Sequence, residues 1–112
     1  MALSRLAREF AAEIANHDWR DAPYRLDRAG HSWEQDSPSR RSDITLDTNE
    51  TFHVRTNVMW VAAQVLGHRD PNFNIGEFAK ECGVSGLSEA TLRYGTRREE
   101  DGSYSKPGPI EE

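Results

Sequence analysis

Between Ser4 and His17, Leu6, Phe10 and Ile14 stand four residues apart with Ala7, Ala11 and Ala15 beside them, a single apolar helical stripe. Arg5, Arg8, Glu9 and Glu13 fall away from it, Ser4 stands where an N-cap belongs, and Asn16 with His17 suits the end, so the pattern predicts a helix over about 4–17. The pattern returns at Asp47, which stands at capping-box spacing from Glu50 and is followed by Phe52, Val54, Val58, Met59, Val61, Ala62, Val65 and Leu66. Only Gln64 is polar between Val58 and Leu66. A helix over 47–67 that is apolar nearly all round must be covered on most sides, which makes it the central helix of the fold. Gly67 and the Asp70-Pro71 turn stop it, with His68 and Arg69 placed to offset the carbonyl end of the helix dipole. Two shorter helices follow. Asn74 caps one over 74–82, whose Ile75, Phe78, Ala79 and Cys82 share a face and which Gly83 ends; Ser88 caps another over 88–98, carrying Leu92 inward and Gly95 in its interior.

Residues 18–46 have no such period. Asp18, Arg20, Asp21, Arg25, Asp27 and Arg28 alternate in sign around Trp19, Tyr24, Leu26 and Trp33, so the aromatic residues read as anchors in a polar connector. A short helix from about Pro23 to Ala29, capped by Asp21 and ended by Gly30, fits this stretch. Ser37 to Asp43 contains no apolar residue and reads as exposed, mobile and open to proteases. Near the C-terminus, Asp101-Gly102 suits a tight turn between Arg97 and Tyr104, so that segment either pairs as a β-hairpin or stays irregular, and 107–112 reads as a flexible tail. The expected fold is mainly α: one helical bundle over 1–106 around a buried central helix, with a long irregular connector and a C-terminal β-hairpin as its only candidate strand pairing.

A chain of 112 residues suits one hydrophobic core. Apolar residues at 36% and charged residues at 29% imply a modest core under a wide solvated surface. The formal charge of −5 spreads no electrostatic footprint over the molecule to attract nucleic acid or an anionic membrane, so any phosphate-binding face must be local. The longest apolar run, Val58 to Ala63, is far short of the roughly 20 residues that cross a bilayer. Charged residues from Arg5 onward interrupt the stretch a signal peptide would need, and Cys82, the single cysteine, suits a reducing compartment. The expectation is a cytoplasmic protein without membrane association, with a homodimer as one option.

Candidate chemistry is sparse. His17, His31, His53 and His68 are scattered, and none forms the i,i+4 pair with a glutamate that marks a helical zinc site. Phosphate-cradling glycine loops, nucleophile elbows and dinucleotide fingerprints are missing, and Cys82 falls on a core face without a base beside it. The acid pairs Glu99-Glu100 and Glu111-Glu112 sit in polar segments without the fixed geometry that catalytic carboxylates need. No catalytic residue, metal ligand or cofactor is expected, and the protein reads as non-enzymatic.

Residues 75–85, Ile-Gly-Glu-Phe-Ala-Lys-Glu-Cys-Gly-Val-Ser, followed by Thr91-Leu92-Arg93-Tyr94, resemble the helix-turn-helix of the MerR and excisionase type of DNA-binding protein. The resemblance covers roughly a quarter of the chain and implies a recognition helix from Thr91, with the Asp101-Gly102 turn as a wing. On that reading Lys80, Thr91, Arg93, Tyr94, Arg97 and Arg98 would face duplex DNA. More broadly, His17-Asp18-Trp19, residues 21–25, 27–31 and 56–61, and Asp70-Pro71-Asn72-Phe73 look like small accessory proteins of actinobacterial phages and prophages. That resemblance implies a setting, the cytoplasm of a bacterial host, in which the protein acts on a host or phage protein or on phage DNA. Tryptophan and tyrosine dominate protein interfaces, so Trp19, Tyr24 and Trp33 are the expected protein-contact residues of a non-enzymatic binding protein, with the DNA-binding regulator as the alternative.

Overall fold

The computed structural model describes residues 3–27 and 29–109. Among them four α-helices follow in order: α1 (Arg5–Asn16), α2 (Thr48–Arg69), α3 (Ile75–Glu81) and α4 (Glu89–Tyr94). Each starts at the side chain expected to cap it. Ser4 Oγ accepts from the Ala7 amide, Asn74 from Glu77 and Ser88 from Thr91, while Asp47 and Glu50 close a reciprocal capping box.

The core lies where α1, α2 and α3 meet. Ala7, Ala11 and Ile14 of α1 pack with Met59, Ala63 and Leu66 of α2 and with Phe78, Ala79, Cys82 and Val84 around α3. The inward face of α1 is therefore turned from the expected stripe: its alanines are buried, whereas Leu6 and Phe10 are 54% and 46% exposed. Small side chains let α1 lie close against its neighbours, which leaves the larger ones at the rim. The central helix is also less completely covered than its composition implies, since Val61 and Val65 remain exposed along one strip.

On the neighbouring face of α2, through Trp60, Gln64 and Gly67, the C-terminal segment completes the packing. The chain turns back at Gly102 and closes a single antiparallel bridge between Arg98 and Tyr104, a minimal form of the expected hairpin. Gln64, the lone polar residue in the apolar run, is buried and holds both limbs: its Nε2 donates to the Arg97 and Ser105 carbonyls at 3.1 and 3.0 Å, and its Oε1 accepts the Arg97 amide at 2.7 Å. Two glycines permit the close approach. A Cβ on Gly67 would stand 2.4 Å from the Tyr104 ring, and one on Gly95 would stand 2.4 Å from the Trp60 indole. Gly67 thus does not stop α2, which runs on to Arg69, and Gly95 is the C-cap of α4 and not part of its interior. Consequently α4 ends four residues before Arg98. Of the tail expected over 107–112, residues 110–112 lie outside the described residues, and Pro107 and Gly108 line a groove beside Trp60, Val61 and Val65.

Among the described residues no helix is long and apolar enough to cross a membrane.

Candidate functional site

The connector, 18–46, is where the structure departs most from expectation. Among its described residues the only regular element is a single 3₁₀ turn, Ala22–Tyr24, in place of a helix over about 23–29; Arg28, within that span, lies outside the described residues. Asp21 precedes this turn but makes no capping bond with its side chain. It points inward instead, and its carboxyl group is completely buried.

A polar cluster assembles around that carboxyl group. His31 Nε2 donates to Asp21 Oδ1 across 3.0 Å, and the Ser42 amide donates to Oδ2 at 3.1 Å. Arg25, itself buried, places Nη1 3.7 Å from Asp21 and 2.7 Å from Asp36, while Nε donates to Asp27 at 2.8 Å and Nη2 pairs with the same carboxylate. The hydrogen bonds from Arg25 pull the Asp27 carboxyl group down to about 2 and push the guanidinium up from its ordinary value. The His17 ring stands edge-on to His31 with centroids 4.4 Å apart, and its Nδ1 accepts the Gly30 amide at 2.7 Å. Burial lowers the pKa of His17, and charge on His31 lowers it further.

These bonds span up to 21 residues of sequence and stitch the connector into one body. Isolated buried charges are costly, so a buried carboxylate and guanidinium hold only where hydrogen bonds and opposite charge surround them. Here they fix the path of a segment that has almost no apolar core of its own.

Both connector tryptophans are supports within this body. Trp19 Nε1 donates to the Ile14 carbonyl at 3.0 Å, locking the connector to the end of α1. Trp33 Nε1 donates to Ser42 O at 2.7 Å, its amide to Asp18 Oδ2 at 2.8 Å, and its ring lies under the guanidinium groups of Arg41 and Arg20, 4.2 and 5.1 Å from the centroid. Burial opposes ionisation of Asp18, but the amides of Trp33 and Arg20 outweigh it and hold the pKa below the usual value. Tyr24, the third expected contact residue, is 48% exposed, and Leu26 beside it is fully exposed. The backbone thus alternates: Asp21 and Arg25 inward, Tyr24 and Leu26 outward.

The residues expected to meet DNA are divided. Lys80, Thr91, Arg93, Tyr94 and Arg97 are exposed, the last beyond the end of α4. Arg98 stacks 3.8 Å from the Tyr104 ring centroid and donates to Thr96 Oγ1 and the Gly102 carbonyl, so its guanidinium is held within the hairpin. The hairpin tip carries Glu99, Glu100 and Asp101, all exposed.

The Asp21-His31 pair has the look of a general-base dyad, but Nδ1 of His31 is enclosed without a partner and no bonded hydroxyl or thiol stands at it. Cys82 is buried in the core away from it, its thiol pushed up to about 12 by burial and, second, by Glu81. Among the described residues no group of three or more histidine, cysteine, aspartate or glutamate side chains converges to hold a metal ion.

Sequence reading missed the roles of Asp21, Arg25, His31 and Asp36. The signal was present only in outline: charges of alternating sign around aromatic residues, in a segment too polar to fold by burial alone.

No protein-family model, curated protein or solved structure matches the chain.

Proposed function

We propose that the protein acts by binding another protein, as a non-enzymatic accessory factor of the phage or prophage kind, and that its braced connector supplies the contact. The observation that carries this reading is the outward display of Tyr24 and Leu26 on backbone whose neighbouring side chains, Asp21 and Arg25, are locked in a buried ionic cluster. A large apolar side chain held in water by a fixed backbone loses little further freedom when a partner covers it, and such preorganisation favours binding. Trp19 and Trp33 serve as internal supports of that display. The contact therefore centres on Tyr24 and Leu26.

Affinity capture from host and phage-infected lysates, with wild-type protein beside the double variant Tyr24→Ser/Leu26→Ser, tests the assignment. A partner retained by the wild type is expected to be lost from the variant, with helical content unchanged; truncating two anchors of a contact weakens binding by about 30-fold or more. Equal recovery of the same partner by both proteins would end the proposal.

A second reading is favoured by the succession of α3, a turn with Gly83 and Gly86 at positive φ, α4 and then a hairpin. In that reading the protein is a DNA-binding regulator or recombination accessory that reads duplex DNA with Thr91, Arg93 and Tyr94, backed by Lys80 and Arg97. The acidic hairpin tip would repel the phosphates a wing should approach, which ranks this reading below the first. Duplex binding that weakens steeply with salt, and is abolished by Arg93→Ala/Arg97→Ala, would reverse that ranking.

A further inference from the structure

The outward face of α2 is apolar along its centre. Val54, Val58, Val61 and Val65 stand four, three and four residues apart, a spacing that keeps them on one side of a helix. That side is turned away from Met59, Ala63 and Leu66, which α2 buries where it meets α1 and α3. Val61 is 70% exposed and Val65 41%, while Val54 and Val58 are half-buried and Val58 reaches the edge of the core. The C-terminal segment flanks this strip without covering it, leaving a groove of about 270 Å³ between Trp60, Val61 and Val65 on one side and Pro107 and Gly108 on the other. A solvated helix places polar residues on its outward side, so a continuous apolar strip there marks a contact surface. Valine is stiff at χ1 in a helix, and little side-chain freedom is lost when such a strip is covered.

The order of residues along the strip matches its own reverse. Turned end for end about the point between Met59 and Trp60, it sets Val54 against Val65 and Val58 against Val61. The same reversal brings the acidic start of α2, with Asp47 and Glu50, against its basic end, with His68 and Arg69. Pairing two copies in the same direction would instead put like charge beside like at both ends. A two-fold contact requires this self-complementarity, in which residue i meets j while j meets i, and opposed helix dipoles favour the antiparallel arrangement. We infer that the outward face of α2 binds a second copy of this chain, antiparallel and two-fold symmetric, with Val58 and Val61 at its centre. The inference rests on α2 and not on the Tyr24-Leu26 contact, so either can fail alone.

The test is sedimentation equilibrium of the full chain at low salt, over concentrations from about 1 µM to about 1 mM. Four valines a side make a small interface, so a monomer–dimer equilibrium with a Kd of about 10–100 µM is expected, weakening as salt screens the charged ends. Val61→Glu changes a side chain that is exposed in the single chain, so far-UV circular dichroism should be unaltered. It places two unpaired carboxylates at the centre of the contact and is expected to raise Kd about 100-fold or more. Arg69→Glu leaves every valine in place and makes both ends of the strip acidic, which is expected to weaken the antiparallel dimer about tenfold. In a same-direction dimer that change would exchange one like-charge pair for another and leave Kd unaltered. A chain that stays monomeric at about 1 mM, which would leave the strip to a different occupant, overturns the inference. So does a dimer that Val61→Glu leaves intact, or one that Arg69→Glu does not weaken.

Discussion

Replacing Asp21 by alanine removes one carboxylate from the centre of the connector, and the structure sets the size of the effect. The Ser42 amide and His31 Nε2 lose their acceptor, and Arg25 keeps only Asp27 and Asp36. Hydrogen bonds to a charged group contribute about 1.5–3 kcal/mol each, and breaking a buried ionic cluster from one side costs about 3–5 kcal/mol. Whole-domain stability is typically about 5–15 kcal/mol. The cluster lies outside the core of α1, α2 and α3, so the loss is expected as local opening of 18–46 while the helices remain. At about 3 kcal/mol, the open population rises about 150-fold. Two readouts measure it: hydrogen exchange at the Ser42 amide, and tryptic cleavage between Arg40 and Arg41 in the exposed part of the connector. Both are expected to accelerate by about two orders of magnitude in Asp21→Ala, with α2 amides unchanged. Asp21→Asn, which retains an acceptor oxygen for Ser42, should fall between. Unchanged exchange at Ser42 together with unchanged cleavage would refute the view that this carboxylate holds the connector.

Other consequences follow from the same geometry. Gln64→Leu deletes three hydrogen bonds to the hairpin, so it should cost about 2–4 kcal/mol and deprotect the Ser105 amide selectively in hydrogen exchange. Gly95→Ala drives a methyl group into the Trp60 ring, and overpacking of this kind costs about 1–3 kcal/mol, measurable by urea denaturation; this is opposite to the gain expected had Gly95 been a helix-interior residue. His17 has a folded pKa below its ordinary 6.5 because partial burial disfavours its charged form and the charge of His31 adds to that. The unfolded chain therefore binds the proton more readily, so the stability associated with neutral His17 is complete above 6.5 and is lost as pH falls through the lower folded value. Denaturation midpoints should fall between about pH 7 and 5 in the wild type, and less steeply in His17→Gln.

What the sequence disclosed follows from the range of the interactions involved. Helix starts were legible because a cap acts over three residues: Ser4, Asp47, Asn74 and Ser88 all bond as their positions imply. The end of α4 was not, because it is decided by Gln64, 33 residues away, which takes the Arg97 amide that a continuing helix would use. The facing of α1 was misread for a related reason: apolar spacing cannot tell which of two adjacent stripes meets a partner, and close packing selected the alanines over Leu6 and Phe10. In the connector the pairings of Asp21 with His31 and Ser42, and of Arg25 with Asp36, obey no period. Only the roles of Trp19 and Trp33 as anchors could be read there, since an indole among charges must place its N–H on some acceptor.

The central claim is that the connector is an ordered platform and that its exposed residues are held in place, not free. Backbone ¹⁵N relaxation of the unbound protein tests it most directly. Residues 18–27 and 29–46 are predicted to give order parameters near those of α2, about 0.85. Values below about 0.6 across Asp21 to Ser42 would contradict the account, leaving Tyr24 and Leu26 on a loose chain with nothing prearranged to bind.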